Sequence, residues 1–278
     1  MLAKSVKKRL EPENELICTD VADLDITDEE AVLKFVAQNK PDYIINCAAF
    51  TAVDKAETAG EIVERINADG PENLAKAAKA NNSVLVHIST DYVFGGDLEL
   101  EKDYKEEDEK APVTVYGVTK LQGEEQIKAN TDQYYIFRTA WLYGDGNNFV
   151  RTMLNLGEAK DEISVVADQH GSPTYAEDLA NIIGEAIEKK IPYGVYHATN
   201  QGYTTWFDFT KAIFEYTGTI CQVNPVTTEE YIEMMQITQA KRPKNSQLSK
   251  DKLLAQGITV PEWEDALKRY LKAEGKMV

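Results

Sequence analysis

Four short apolar runs, separated by longer amphipathic stretches, set the rhythm of this chain. Residues 16–20 (LICTD), 43–49 (YIINCAA), 84–90 (VLVHIST) and 134–140 (YYIFRTA) are rich in β-branched and aromatic residues. Runs this short and this apolar predict strands buried inside a sheet. Between them, residues 28–39, 61–81 and 116–130 carry helical spacing, the first opened by Thr27 with Glu30 three residues later as a capping box. Strict alternation of strand and helix requires right-handed crossovers, which predicts an α/β fold with a doubly wound parallel sheet covered on both faces. After about residue 150 the pattern loosens into aromatic and Pro-containing loops, as expected of a smaller C-terminal part. The acidic stretch at residues 99–110 reads as a mobile, solvated loop.

In a doubly wound sheet, ligands bind beyond the carboxyl ends of the strands. Polar residues collect there: Asp20 after the first run, Asn46 to Thr51 after the second, Ser89 to Tyr92 after the third, Thr139 to Tyr143 after the fourth. The helix that follows Tyr92 places Tyr116 and Lys120 one turn apart on a single face. A neighbouring cation favours the phenolate and lowers a phenol's pKa, so Tyr116 is a candidate general acid with Lys120 as its tuner. The hydroxyl of Thr90 could share the same substrate oxygen, giving two donors where a carbonyl becomes an alcohol. Taken alone the pair is a weak motif, since a ring under a Lys stem is common packing.

Composition narrows the classes. The chain has 278 residues, 43% hydrophobic and 28% charged, enough for one large or two modest domains. Without an 18-residue apolar run there is no spanning-helix candidate, and the basic MLAKSVKKRL start lacks the apolar core of a signal peptide, so a cytoplasmic protein without membrane partners is expected. A net charge of −17 argues against nucleic acid as a partner. An anionic small molecule would need local cations, and Lys241-Arg242-Pro243-Lys244 is the obvious cluster. Cys18, Cys47 and Cys221 lie far apart and read as buried reduced thiols, and the scattered His87, His170 and His197 suggest no metal site.

In combination, these segments resemble the extended short-chain dehydrogenase/reductases, and within them the dTDP-4-dehydrorhamnose reductases. The resemblance runs over essentially the whole chain. It is carried by LDIT (24–27), NCAAFTAVDKAE (46–57), NADGPENLA (67–75), STDYVFGG (89–96), YGVTKLQGE (116–124), RTAWLYG (138–144) and KRP (241–243). It implies a Rossmann-like dinucleotide-binding domain at residues 1–150 and about 172–200, with a substrate-binding domain at about 151–171 and 201–278. It implies that Tyr116 protonates the C4 oxygen of a keto sugar as hydride arrives from NADPH or NADH. Lys120 would lower the Tyr116 pKa and bind the nicotinamide ribose, and Thr90 would bond the same oxygen. Asp91 and Tyr92 would touch the sugar, Trp141 would shelve it, and Arg242 would meet the diphosphate of a dTDP-sugar. Asp25, Ile26, Asn46, Ala48, Ala49 and Thr51 would line the cofactor, and Asn67 would support that side of the sheet. Simpler uses compete: Asn46 could cap its own loop, Trp141 could be core, and Asp25 could be a turn residue.

One departure from the family pattern stands out. A dinucleotide-binding domain is expected to open with a strand and a glycine-rich turn, whereas the first glycine here is Gly60. The expectation is that the first strand and its GxxGxxG loop, roughly 15 residues, are absent and that Met1 lies inside the following helix. A misassigned or cut start is the favoured explanation over a real truncation. Another nucleotide-sugar 4-reductase or epimerase, and a non-catalytic regulatory subunit similar to the methionine adenosyltransferase β subunit, are the alternative functions. A homodimer is left open.

Overall fold

The computed structural model describes residues 1–278. Strands β1 (Tyr43–Asn46), β2 (Val84–Thr90), β3 (Tyr134–Thr139) and β4 (Gly194–His197) form one parallel sheet in that order. Helices α1 (Leu2–Leu10), α2 (Glu29–Asn39), α3 (Gly70–Asn81), α4 (Val115–Asn130) and α5 (Ala176–Lys189) cover it. The period-two alternation of a strand divides its side chains between two cores. Val84 and Val86 of β2 and Tyr135 and Phe137 of β3 meet Leu2, Val6 and Leu10 of α1 and Leu179, Ile182 and Ile183 of α5. Leu85 and Ile136, one residue out of phase, meet Val32 and Val36 of α2, Leu74 and Ala78 of α3 and Ile127 of α4. Each such aliphatic side chain contributes roughly 1.5–3 kcal/mol relative to leaving it in water. A second core, around Tyr143, Phe209, Trp263 and Tyr270, is enclosed by helices Phe149–Ala159, Trp206–Thr217 and Trp263–Ala273 and by the parallel pair Glu162–Val166 and Gln222–Val226. No helix is long and apolar enough to cross a membrane.

Several sequence expectations need correction. Residues 16–20 form no strand and pair with none, and the sheet ends at β1, which bonds only to β2. Ile17 and Cys18 are consequently exposed, so Cys18 is not a buried thiol. Helix α2 is capped by Asp28, whose carboxylate accepts from Ala31 N at 3.0 Å, rather than by a Thr27–Glu30 box. Thr27 instead accepts from Arg65. The acidic stretch is tied down, because Tyr104 stacks on Phe94 and exchanges backbone bonds with Gln247 and Ser249, while the buried Glu106 accepts from His197 N.

The helix expected over residues 61–81 is interrupted by a π-turn at Arg65–Asp69. Pro71 explains the interruption: it has no N–H for the Asn67 carbonyl, and Gly70 N instead bonds back to Arg65 O. The Asn67 carbonyl is thereby turned toward α4, where it sits 2.2 Å from the place a Cβ on Gly123 would occupy. A methyl cannot fit against that backbone oxygen without moving α4. We expect Gly123→Ala to cost about 1–3 kcal/mol, as overpacking does, read as a lower urea midpoint with an unchanged m-value. An unchanged midpoint would show that the helices separate freely.

Candidate active site

The carboxyl ends of β1, β2 and β3, the first turns of α4 and residues 240–246 converge on one crevice. At the end of β2, Thr90 accepts from Tyr92 N at 3.3 Å and donates to Asp91 Oδ1 at 3.0 Å, opening the 3-10 turn Asp91–Val93. Ser246 donates to the other oxygen of Asp91 at 2.5 Å. Burial lifts the Asp91 carboxyl to about 6 despite the bonds from Ser246 and Thr90.

Helix α4 begins at Thr114, whose hydroxyl accepts from Gly117 N at 3.0 Å. Tyr116 therefore lies in the first turn, buried, with its ring 5.5 Å from and edge-on to Tyr92. Its phenol is raised above the ordinary tyrosine range. Burial is the main cause; the neighbouring Thr90 hydroxyl works against it, while Asp91 and Tyr92 add to it. The expected lowering by Lys120 is absent. That side chain turns the other way, donating to Ile88 O at 2.6 Å and meeting His87 Nε2 at 3.0 Å. Burial also lowers the Lys120 ammonium to about 8. Tyr116 thus keeps its proton at neutral pH, which suits a group that must donate one to a nascent alkoxide.

On the β1 side, Asn46 Oδ1 accepts from Ala48 N at 2.9 Å, so it does cap its own loop, and Nδ2 reaches His87 Nδ1 at 3.2 Å. Asn67 clamps the same loop through Phe50 N and O, at 2.8 and 3.1 Å, and touches Thr119 of α4 at 3.3 Å. The π-turn is what aims Asn67 there. Ala48 and Thr51 remain exposed on the lip of the crevice and Ala49 half-buried. Thr139, paired in register with Thr90, has a buried hydroxyl without a hydrogen-bond partner, an open polar atom at the end of the sheet. Small residues, an open loop and an unspent hydroxyl fit the nicotinamide-ribose end of a dinucleotide. A glycine-rich diphosphate cradle is not among these residues. Asp25 accepts from Thr27 N at 2.9 Å as a turn residue, and Ile26 packs on Gly70 and accepts from Asn73.

Opposite that lip, Arg242 donates to Asp54 at 2.7 Å and to Tyr92 OH at 3.2 Å, and Ala240 N donates to the second oxygen of Asp54 at 2.9 Å. These bonds bring the basic segment to the mouth of the site, with the Arg242 side chain 20% exposed. Trp141 is half-buried and stacks on Trp206 with ring centroids 3.7 Å apart. It adopts φ +49°, a left-handed conformation unusual for a bulky residue, and its indole lies where a Cβ on Gly171 would stand. Ser246, Asp54, His87 and Trp206 were missed in the sequence. The first three lie within or beside motif segments, but only the fold shows what they hold.

The sequence agrees with the geometry: the model of the RmlD substrate binding domain family matches residues 1–275. The chain belongs to this family. It is 43% identical over 253 residues to a dTDP-4-dehydrorhamnose reductase of Mycolicibacterium smegmatis, covering 90% of this chain and 75% of that one. The structure of a Clostridium acetobutylicum dTDP-4-dehydrorhamnose reductase superposes with a TM-score of 0.94 at 47% identity, covering 99% and 96% of the two chains. That of a Bacillus anthracis dTDP-4-dehydrorhamnose reductase in complex with NADP gives 0.92 at 42%, covering 98% and 95%. The family's parallel α/β fold is the one built here, with the Tyr116–Lys120 face at the carboxyl end of its sheet.

Proposed function

We propose that this protein reduces the C4 keto group of dTDP-4-dehydro-L-rhamnose to give dTDP-L-rhamnose, with NADPH as reductant, in cell-surface polysaccharide synthesis. The observation that carries this reading is the placing of Tyr116 beside Thr90 beneath a mouth bordered by Arg242, with Lys120 one turn along the same helix, in a chain similar over nearly its full length to reductases of that name. NADPH, when bound, would supply the hydride that C4 takes. Tyr116 holds the proton that the C4 oxygen receives. Thr90 has a single hydroxyl hydrogen, now given to Asp91; to serve the sugar oxygen it must exchange that bond, and Ser246 keeps Asp91 satisfied while it does so. Lys120 would hold the nicotinamide ribose, and Asn46, Ala48, Ala49 and Thr51 would line the cofactor beside it. Arg242 offers the planar fork suited to a diphosphate, the Trp141–Trp206 stack provides an apolar shelf for the deoxysugar, and Tyr92 and Asp91 border it. The cytoplasm, where NADPH and nucleotide sugars are made, belongs to the same proposal.

The test is oxidation of NADPH by the purified chain with dTDP-4-dehydro-L-rhamnose, with the product identified by NMR. The expected product is dTDP-L-rhamnose alone, with its C4 hydroxyl equatorial and no C4 epimer, formed faster with NADPH than with NADH and faster than the alcohols of other nucleotide-linked 4-keto sugars. No oxidation with this substrate, alongside turnover of another keto sugar, would overturn the assignment.

A further inference from the structure

Residues 168–171 hold three separate parts of the mouth together, and one side chain among them has a single way to bond. Strand His170–Gly171 pairs with Asn245–Ser246 on one side and with Thr204–Thr205 on the other, the latter running straight into Trp206. Gln169, just before that strand, is 8% exposed and spans two elements. Its Oε1 accepts from Trp206 Nε1 at 3.2 Å, and its Nε2 donates at 3.0 Å to Thr228 Oγ1 in the first turn of the helix Thr228–Met235. The Thr228 hydroxyl in turn donates to Asp168 Oδ1 at 2.7 Å. An indole N–H can only donate and a carboxylate can only accept, so the direction of every bond from Trp206 to Asp168 is fixed. Turned over, the Gln169 amide would set its NH2 against the indole N–H, and its oxygen against a hydroxyl whose one hydrogen is given to Asp168.

We infer that Gln169 is a positioning residue for the sugar side of the site: it holds the Trp206 ring in its stack on Trp141, and so sets the affinity for the sugar ring separately from that for the diphosphate. The inference rests on the proposed function in taking that stack as the shelf for a deoxysugar.

The surroundings leave that task to Gln169. The Trp206 ring is half-buried, with Trp141 stacked on it at a centroid distance of 3.7 Å and Phe149 tilted against it at 4.4 Å. Stacking tolerates sliding of a ring in its own plane, whereas a hydrogen bond to the indole edge fixes it. Trp141 is placed by the same short segment, because Gly171, two residues beyond Gln169, offers bare backbone: the indole lies 2.9 Å from where a Cβ would stand. A left-handed Trp141 at φ +49° persists only where its surroundings determine it. The segment that carries Arg242 does not depend on Gln169 in this way. Thr228 N donates to Asp168 at 2.9 Å at its start, His170 N donates to Lys244 O at 2.8 Å at its end, and Arg242 itself is tied to Asp54 and Tyr92. Removing the Gln169 amide therefore frees the ring and leaves the diphosphate end in place.

Two measurements need no turnover. With three tryptophans in the chain, proton–nitrogen NMR gives three indole N–H signals, and Trp206→Phe identifies the one from residue 206. In Gln169→Leu, which keeps much of the side-chain bulk, that signal is expected to move upfield and exchange faster with water. Calorimetric titration with dTDP-L-rhamnose and with dTDP then separates the sugar from the diphosphate. Gln169→Leu should weaken dTDP-L-rhamnose about tenfold, the scale of one hydrogen bond, and leave dTDP unchanged. Thr228→Val, a change at a half-buried position that frees the amide to turn, should move both readouts in the same direction by less. In turnover the effect should fall on KM for the nucleotide sugar and not on KM for NADPH. An unmoved Trp206 signal, equal weakening of both ligands, or an undiminished advantage of dTDP-L-rhamnose over dTDP would each make Gln169 a packing residue and overturn the inference. A parent protein that binds the two ligands equally counts against the proposed substrate instead, and the same pair of titrations with the nucleotide sugar it does turn over then decides for or against Gln169.

Discussion

Tyr116→Phe is expected to lower turnover by about 10² to 10⁴, the usual contribution of one general acid, which is about 2.7–5.5 kcal/mol of barrier. The ring packs among Ala56, Val63 and Tyr92, contacts that phenylalanine keeps, so folding and the urea midpoint should change little. The hydroxyl lies beside Thr90 and anchors no other part of the fold. Its loss therefore isolates the proton. Because burial holds the phenol above its ordinary range, its own titration lies at higher pH than any limb seen near neutrality. A limb near pH 8 in the parent protein belongs to Lys120, lowered to about 8, and should survive in Tyr116→Phe. Steady-state rates, with KM measured beside kcat, separate the outcomes: a fall confined to KM would show that Tyr116 only holds the sugar. Near-normal kcat would remove it from the proton-transfer step.

How far the sequence foretold this site depends on the range of the interaction. The apolar runs at 84–90 and 134–140 became the central strands β2 and β3, because a central parallel strand must be apolar on both faces and so writes itself as an unbroken run, and the run at 43–49 became β1 at the sheet's edge. Residues 16–20 carry the same pattern without becoming a strand, since a run states only that burial is favourable and not which neighbour is available. Thr90, Tyr116 and Lys120 were legible because helix periodicity and strand ends place them without knowledge of distant residues. The charge logic was not. A helical i to i+4 spacing puts Lys120 one turn from Tyr116, yet the Lys120 side chain bends to Ile88 and His87, 32 and 33 residues away, leaving burial to govern the phenol. Ser246 on Asp91 and Arg242 on Asp54 join residues 155 and 188 positions apart, pairings set only by the final packing of the last 40-odd residues on the sheet. Trp141 was expected as a shelf or as core; its left-handed backbone and its stack on Trp206 leave it half-buried between the two.

Glu124→Ala is expected to be the most destabilising single change near the site, by about 3–5 kcal/mol, because it leaves a buried guanidinium without its counter-charge. Both side chains are 0% exposed. Arg138 donates to the two Glu124 oxygens at 2.9 and 2.7 Å, and Ser89 donates to the same carboxylate at 2.6 Å. Arg138 also reaches Glu106 O at 3.0 Å and lies over the Phe94 ring. The pair ties β3 to the middle of α4, one turn beyond Lys120, and through Ser89 it fixes the residue next to Thr90. Its contribution depends on pH. Burial alone would raise the Glu124 carboxyl, but Arg138, Ser89 and Lys128 outweigh it and hold the group below the ordinary glutamate value of 4.5. A carboxyl with a depressed folded-state pKa stabilises fully above its unfolded value and loses that stabilisation as pH falls through the folded one. The parent protein should therefore lose stability below about pH 4.5 partly through this group, and Glu124→Ala should lack that component. Urea midpoints at pH 7 and pH 4, for the parent, Glu124→Ala, Arg138→Met and the double variant, give the cycle. Neither single substitution alone restores balance, whereas the double variant removes both charges and should recover much of the loss, since apolar replacements of a buried pair are often near neutral. A single-variant cost under about 1 kcal/mol, within the range of an exposed pair, would mean that water reaches Arg138 and that the pair does not hold the site together.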